Sequence, residues 1–245
     1  MGSITVLLWS DATVRDFNGH PPKFPEQERL YLLAALRYVS RVEIVSGGSS
    51  PEAWPAVPGL SPSLWAVSEQ DASAAKEGFC RAHGLACRII RRENLEGFPL
   101  PAPLPSAPGR TKVVVTGCFD WLHSGHVRFF EEVSVYGGLY VVVGHDANIR
   151  LLKGNGHPLL SQEERRYLVG SVRHVKQAMI SSGEGWLDAD PEIRRIKPDF
   201  YAVNQDGDQG GKREYCQKLG IEYLVLQREP APGLPRRTST TLRGF

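Results

Sequence analysis

The chain has 245 residues, room for one large or two small domains, and its 29 basic and 27 acidic side chains leave a net charge of only +2. Charges of both signs are scattered along it, which argues against an electrostatic footprint for nucleic acid or a membrane surface. The cysteines Cys80, Cys87, Cys118 and Cys216 lack CxxC spacing and scaffold density, the opening MGSITVLLWSDATVR has no export-signal pattern, and no run approaches the ~20 apolar residues of a membrane span, so the expectation is a cytoplasmic protein with reduced thiols.

In chain order, Ile4 to Trp9 reads as a strand, Pro25 to Arg37 as an amphipathic helix and Val42 to Val45 as a strand. Leu64 to Val67 and Ala86 to Ile90 read as two more strands around a helix from Ala72 to His83. Asn94 to Arg110 carries Pro99, Pro101, Pro103, Pro105 and Pro108, residues that fit neither a central ladder nor a helix interior, and reads as an extended connector of about 3 Å per residue. A PxxP ligand for a partner domain is the much weaker reading. Val113 to Val115 then forms a β-branched run suited to a buried parallel strand, ended by Thr116 and Gly117 and followed by a helical segment from Val127 to Tyr136. Leu139 to Val143 is a strand, Ser161 to Arg173 a helix with Ser161 as N-cap, Asp199 to Val203 a strand, Gly211 to Leu219 a helix and Glu222 to Leu226 a strand. Alternation of this kind implies an α/β protein with a parallel sheet.

The letters of the first half recur in the second. ITVLLWSDATVR (Ile4 to Arg15) lies over LYVVVGHDANIR (Leu139 to Arg150), and EQERLYLLAALRYV (Glu26 to Val39) over QEERRYLVGSVRHV (Gln162 to Val175). Cys80 falls on Cys216, Gly84 on Gly220 and Glu93 on Glu229, and 229 − 93 = 136. The pattern suggests an internal duplication in which residues 4–99 repeat 139–235. The first copy has no counterpart of residues 111–138. The division expected is a degenerate repeat at 1–93, a proline-rich linker at 94–110 and a second domain at 111–245.

Between the valine strand and the following helix stands GCFDWLHSGH, Gly117 to His126. Backbone amides and two imidazoles gather there at a helix N-terminus, where anions bind well, and Gly125 removes a Cβ that would hold a phosphate away. Two ordinary core histidines are the bland alternative. The segment resembles the HxGH nucleotidyltransferases, in particular their cytidylyltransferase-like branch, whose GxFDxxHxGH signature is matched by Gly117, Phe119, Asp120, His123, Gly125 and His126. That resemblance implies a Rossmann-like parallel sheet, here preceded by the partial copy of the same fold.

It also implies site residues. His123, His126 and Lys153 are the expected catalytic groups. Thr116, Gly117, Cys118, Phe119, Asp120, Gly125 and Asp146 are expected at the nucleotide, although Asp146, repeated as Asp11, is equally open to a loop role. Lys153, in a Leu-Leu-Lys-Gly segment, has no counterpart in the first copy, which favours a phosphate contact. Arg165 and Arg173 match family positions, but Arg29 and Arg37 repeat them, so they read as architectural. The strand end from Asn204 to Asp208, with Lys212 after it, is compatible with contact to a second substrate or a metal and equally with ordinary loop chemistry. In the tail, Ser239, Thr240 and Thr241 resemble the family's hydroxyl-rich phosphate segment. Either Arg236 or Arg237 supplies its guanidinium, with Arg237 preferred; a capped terminal helix with surface arginines is the alternative.

The activity implied is transfer of a nucleoside monophosphate to a phosphorylated alcohol or sugar with release of pyrophosphate. CTP ranks ahead of ATP, because the tail looks like that of glycerol-phosphate and ethanolamine-phosphate cytidylyltransferases. The HSGH segment also resembles the adenylyl-transferring domain of ADP-heptose synthesis. Mg²⁺ is expected with the triphosphate, with no dedicated metal-ligand cluster. The partners expected are small molecules, with the two repeats packed as a pseudo-dimer and a homodimer left open. A nucleotide-binding regulator without turnover is the alternative from another class.

Overall fold

Why the valine runs come to the centre is plain from their neighbours: each has apolar helices on both faces and can pair on both edges. The computed structural model describes residues 3–47, 50, 52, 57–61, 63–105 and 109–242, the side chains of Thr240 and Thr241 excepted. The elements run β1 (Ile4–Trp9), α1 (Asp11–Asn18), α2 (Glu26–Ala34), β2 (Val39–Val45), β3 (Leu64–Ser68), α3 (Ala74–Ala82) and β4 (Ala86–Ile90). Then follow β5 (Lys112–Gly117), α4 (Ser124–Val133), β6 (Gly138–Val143), α5 (Asp146–Lys153), α6 (Gln162–Gly170) and β7 (Val175–Ile180). The last are α7 (Asp190–Ile196), β8 (Phe200–Asn204), α8 (Lys212–Leu219), β9 (Glu222–Leu226) and α9 (Ser239–Leu242).

Two compact units emerge. The larger contains Tyr31–Ser40 and Phe98–Phe245, the smaller Ile4–Leu30 and Arg41–Gly97. This grouping departs from a cut near residue 93, because Tyr31–Ser40 goes with the second half of the chain. Pro108 lies outside the described residues; Pro99, Pro101, Pro103 and Pro105 form no regular element, as rings without an N–H dictate.

The larger unit holds a five-stranded sheet in the order β7-β6-β5-β8-β9, all of its pairings parallel. Successive β5 side chains point to opposite faces. Val113 and Val115 join one core with Val127, Phe130, Val141 and Val143, while Val114 joins the other with Ile193, Tyr201 and Cys216. All three valines are fully buried, so the sheet is covered on both sides, as parallel sheets are. Strand order reverses at β5: β6 lies on one side of it and β8 on the other. Such a reversal opens a crevice beyond the carboxyl ends of the two strands.

The smaller unit contains β3 and β4, paired in parallel from Leu64↔Ala86 to Ser68↔Ile90, with Ser73 capping α3. Its Arg29 donates from Nε to Phe24 O (3.0 Å) and from Nη2 to Trp9 O (2.9 Å) and Asp11 Oδ1 (2.8 Å). In the larger unit Arg165 donates from Nε to Leu160 O (3.0 Å) and from Nη2 to Gly144 O (2.8 Å) and Asp146 Oδ1 (2.6 Å). Among the described residues no helix is long and apolar enough to cross a membrane.

Candidate functional site

At the reversal point the structure has a cleft of about 390 Å³. One wall is the end of β5 and the loop after it, Thr116 to Asp120; the facing wall is the end of β8, Ala202 to Asn204, running on to Asp206, Gly207 and Lys212. His126 and Phe129 come from α4, Lys153 and His157 from the end of α5 and its loop, Arg228 from just beyond β9, and Ser239 from the first position of α9.

The β5–α4 turn is built tightly. Phe119 takes a left-handed φ of 51°, folding its ring back over Gly117, where an added Cβ would stand 2.9 Å from Phe119 Cζ. His123 caps α4: its Nδ1 accepts from Gly125 N at 3.1 Å, so the neutral ring carries its proton on Nε2. His123 is only 1% exposed and stacks on His126, with ring centroids 3.9 Å apart, and His126 meets Phe119 edge-on. A Cβ on Gly125 would lie 3.0 Å from His123 Cε1 and 3.4 Å from Arg237 O. The glycine therefore makes room for the capping imidazole and the returning tail.

Asp120, buried at 4% exposure, accepts at Oδ1 from Leu159 N (2.7 Å) and Leu160 N (3.0 Å), which ties the loop carrying His157 to the histidine turn. Arg165 continues the tie, donating from Nη1 to Cys118 O at 2.6 Å. It is fully buried against Asp146, and its fork joins three loops, those after β5, after β6 and before α6. Thr116 Oγ1 and Tyr201 Oη lie 2.7 Å apart across β5 and β8.

The electrostatics favour an anion. Lys153 and Lys212 line the cleft together with the Arg228–Asp206 ion pair, and Asp120 is already engaged by amides, so the excess of positive charge comes from the two lysines. Burial holds the His126 pKa well below the usual imidazole range; His123, Arg228 and Lys153 push it the same way and the backbone of Trp121 opposes them, so the ring is neutral at pH 7. Burial lowers the Lys212 pKa, with Asp208 opposing, and raises that of the Cys118 thiol, with Lys153 and Arg165 opposing. Among the described residues no group of three or more metal-ligating side chains converges, so a divalent ion at this cleft would be held chiefly by the phosphates it accompanies.

Of the residues singled out in the sequence, the cleft is lined by Thr116, Gly117, Cys118, Phe119, Asp120, His126, Lys153 and Ser239, and also by Asn204, Asp206, Gly207 and Lys212 from the strand end that was open to a second-substrate or a loop role. His123 and Gly125 stand directly behind them. Asp146, expected at the nucleotide, is not among the lining residues; its carboxylate faces Arg165, and the crevice opens on the β8 side of β5 rather than the β6 side. Arg237 is not among them either, and its carbonyl faces Gly125. The side chains of Thr240 and Thr241 lie outside the described residues. Arg228, His157 and Phe129 were missed in the sequence. Arg228 stands two residues past β9, where a strand-end rule could have found it.

The Cytidylyltransferase-like family matches residues 114–242. The FAD synthase of Ferroglobus placidus is 37% identical over 119 residues, 47% of this chain and 74% of that protein. The bifunctional protein HldE of Aliarcobacter butzleri is 33% identical over 120 residues, 49% of this chain but only 24% of HldE. A lipopolysaccharide core biosynthesis protein from Thermoplasma volcanium aligns over 50% of this chain and 99% of its own, at 25% identity and a TM-score of 0.42. With over half of its length matched to one family, and that half holding the cleft, the chain belongs to the cytidylyltransferase-like nucleotidyltransferases.

Proposed function

We propose that this protein transfers a nucleoside monophosphate from a nucleoside triphosphate to a phosphorylated acceptor and releases pyrophosphate, with ATP as the donor. The observation that carries the reading is the convergence of His126, Lys153, Lys212, Arg228 and Ser239 on one cleft at the β5/β8 reversal.

In this reading an acceptor phosphate oxygen attacks the α-phosphorus, a new P–O bond forms in line, and the bond to the β-phosphate oxygen breaks. The attacking phosphate is ionised at pH 7, so no general base is needed, and catalysis consists of positioning and charge stabilisation. His126, neutral and rigidly stacked on His123, donates a hydrogen bond to an α-phosphate oxygen as charge accumulates there. Lys153 and Arg228 neutralise the departing pyrophosphate, Ser239 hydrogen-bonds phosphate, and Lys212 serves the acceptor's phosphate. His123 holds His126 in place, and Asp120 and Arg165 hold the loops. Mg²⁺ arrives with the triphosphate.

ATP stands ahead of CTP because FAD synthases are prominent among the relatives, and the product in that name contains an adenylyl group. CTP is the second reading, favoured by the Ser-Thr-Thr tail. Incubation with ATP or CTP and a panel of phosphorylated acceptors, flavin mononucleotide and polyol and sugar phosphates among them, tests both. Acceptor-dependent pyrophosphate release with ATP supports the proposal; release with CTP alone transfers it to the second reading; none with any pair rejects turnover in favour of nucleotide binding without chemistry.

A further inference from the structure

The chain turns identically after α2 and after α6, and the two turns meet. Arg37 N donates to Ser171 O at 2.9 Å and Arg173 N to Ala35 O at 2.8 Å, flanking an antiparallel bridge between Leu36 and Val172. The guanidinium groups repeat the exchange. Arg173 Nη2 donates to Leu36 O (3.1 Å) and Val39 O (2.7 Å), while Arg37 Nη2 donates to Val172 O (3.4 Å) and to Val175 O. The partners 35/171, 36/172, 37/173 and 39/175 share one offset, 172 − 36 = 136, the same that relates the two halves of the sequence.

In a two-fold interface residue i meets j and j meets i. Chance packing gives no reason for the two backbone bonds and the four guanidinium Nη2 bonds between the turns to fall into mirror-image pairs at a constant sequence offset. The internal geometry of the segments agrees. Val39 N bonds Leu36 O at 3.2 Å and Val175 N bonds Val172 O at 3.0 Å, and Ala35 N and Ser171 N bond the carbonyls of Tyr31 and Tyr167. The Arg29 and Arg165 forks, already described, take equivalent partners.

We infer that these segments are the two halves of a self-complementary interface closed within a single chain, descended from one duplicated unit, so that residues 31–40 occupy the surface on which a second copy of the catalytic half would dock. The consequence reaches the cleft. Ala35, with Tyr31 and Leu32, packs into the core that holds Phe119, Val127 and Phe130, and Tyr31 Oη donates to Glu131 Oε2 at 2.9 Å on α4, the helix that begins at the histidine turn. One chain thus supports its only HSGH turn with its own first segment. The inference does not depend on which nucleotide is the donor.

The bridge offers a direct test. Residues 36 and 172 form a non-hydrogen-bonded antiparallel pair, whose Cα atoms stand about 4.5 Å apart, within disulfide range. The whole chain carrying Leu36→Cys and Val172→Cys is oxidised, digested and run on non-reducing gels. The expected result is a peptide pair disulfide-linked through positions 36 and 172, from material that migrates as a single chain. A band of twice the mass, or no such peptide pair, overturns the inference. If the double variant does not fold, the two single variants are mixed and oxidised: a mixed disulfide between chains overturns the inference, and its absence, with both variants sedimenting as monomers near 27.1 kDa, supports it.

Discussion

Replacing Arg165 with methionine separates an architectural role from a catalytic one. The guanidinium is fully buried and supplies hydrogen bonds to Leu160 O, Cys118 O, Gly144 O and Asp146 Oδ1. Methionine fills similar volume but leaves three carbonyls and a carboxylate without their donor. Each orphaned buried acceptor costs about 1–3 kcal/mol, but Asp146, at 25% side-chain exposure, regains water, so the terms do not simply add. Breaking a buried ion pair by removing one partner costs about 3–5 kcal/mol, and that is the expected loss. For a domain of this size it corresponds to roughly 6–20 °C in Tm. Urea unfolding followed by circular dichroism measures it, with Arg29→Met as comparison. Arg29 makes the equivalents of three of these bonds, to Phe24 O, Trp9 O and Asp11 Oδ1, with 19% of its side chain exposed, so the expected loss there is smaller, about 1–3 kcal/mol. A loss under about 1 kcal/mol for Arg165→Met would refute the reasoning that this fork holds the loops of the site.

Further predictions concern the cleft itself. His126→Ala should lower turnover by about 10²-fold or more at a urea concentration where the variant is still folded, even though losing the ring stacked on His123 lowers its urea midpoint; unaltered turnover removes His126 from the mechanism. Arg228→Ala should raise the KM for the triphosphate at least tenfold and Arg236→Ala should not, which steady-state kinetics on both variants decides. Gly117→Ala should disturb the site because its Cβ would press within 2.9 Å of the Phe119 ring, which itself abuts His126; loss of activity exceeding loss of stability is the expected pattern. Because His126 has a folded-state pKa below its unfolded value near 6.5, the unfolded chain takes up a proton that the folded chain refuses as pH falls. Its stabilising contribution is complete above that value and declines below it. The urea midpoint should therefore drop between about pH 7.5 and 5.5, and less steeply in His126→Gln; an equal slope in the variant contradicts the assignment.

Strands announced themselves where apolar residues dominate: β1, β4 and β9 begin and end at the residues the sequence marks for them. The helix after the histidine turn was harder. Its apolar pattern starts at Val127, but α4 begins at Ser124 because His123, not a usual capping residue, turns its Nδ1 to Gly125 N. The position of the cleft was legible only in part. The end of β5 was marked by its motif, yet which neighbouring strand would form the facing wall depends on sheet order, a long-range property that local pattern does not carry. Asp146, expected at the nucleotide from the β6 side, is not among the lining residues, whereas Asn204, Asp206, Gly207 and Lys212, which the sequence left open between substrate contact and loop chemistry, belong to that wall. The tail was legible in part, since Ser239 lines the cleft while neither of the two arginines before it is among the lining residues. Counting back from Ser239 leads to Arg236 and Arg237, whereas the fold brings Arg228 to the cleft and turns the Arg237 carbonyl towards Gly125. Recurrence of letters at a fixed offset, by contrast, pointed to segments whose hydrogen bonds prove to be reciprocal.

The most direct measurement follows the phosphorus atoms. With triphosphate labelled at either the α or the γ position and a phosphorylated acceptor present, the account predicts α-label in a product joined to the acceptor and γ-label in pyrophosphate, both slowed by about 10²-fold or more in His126→Ala. Label from the γ position appearing as inorganic phosphate, or tight binding of triphosphate with neither label moving, would contradict it.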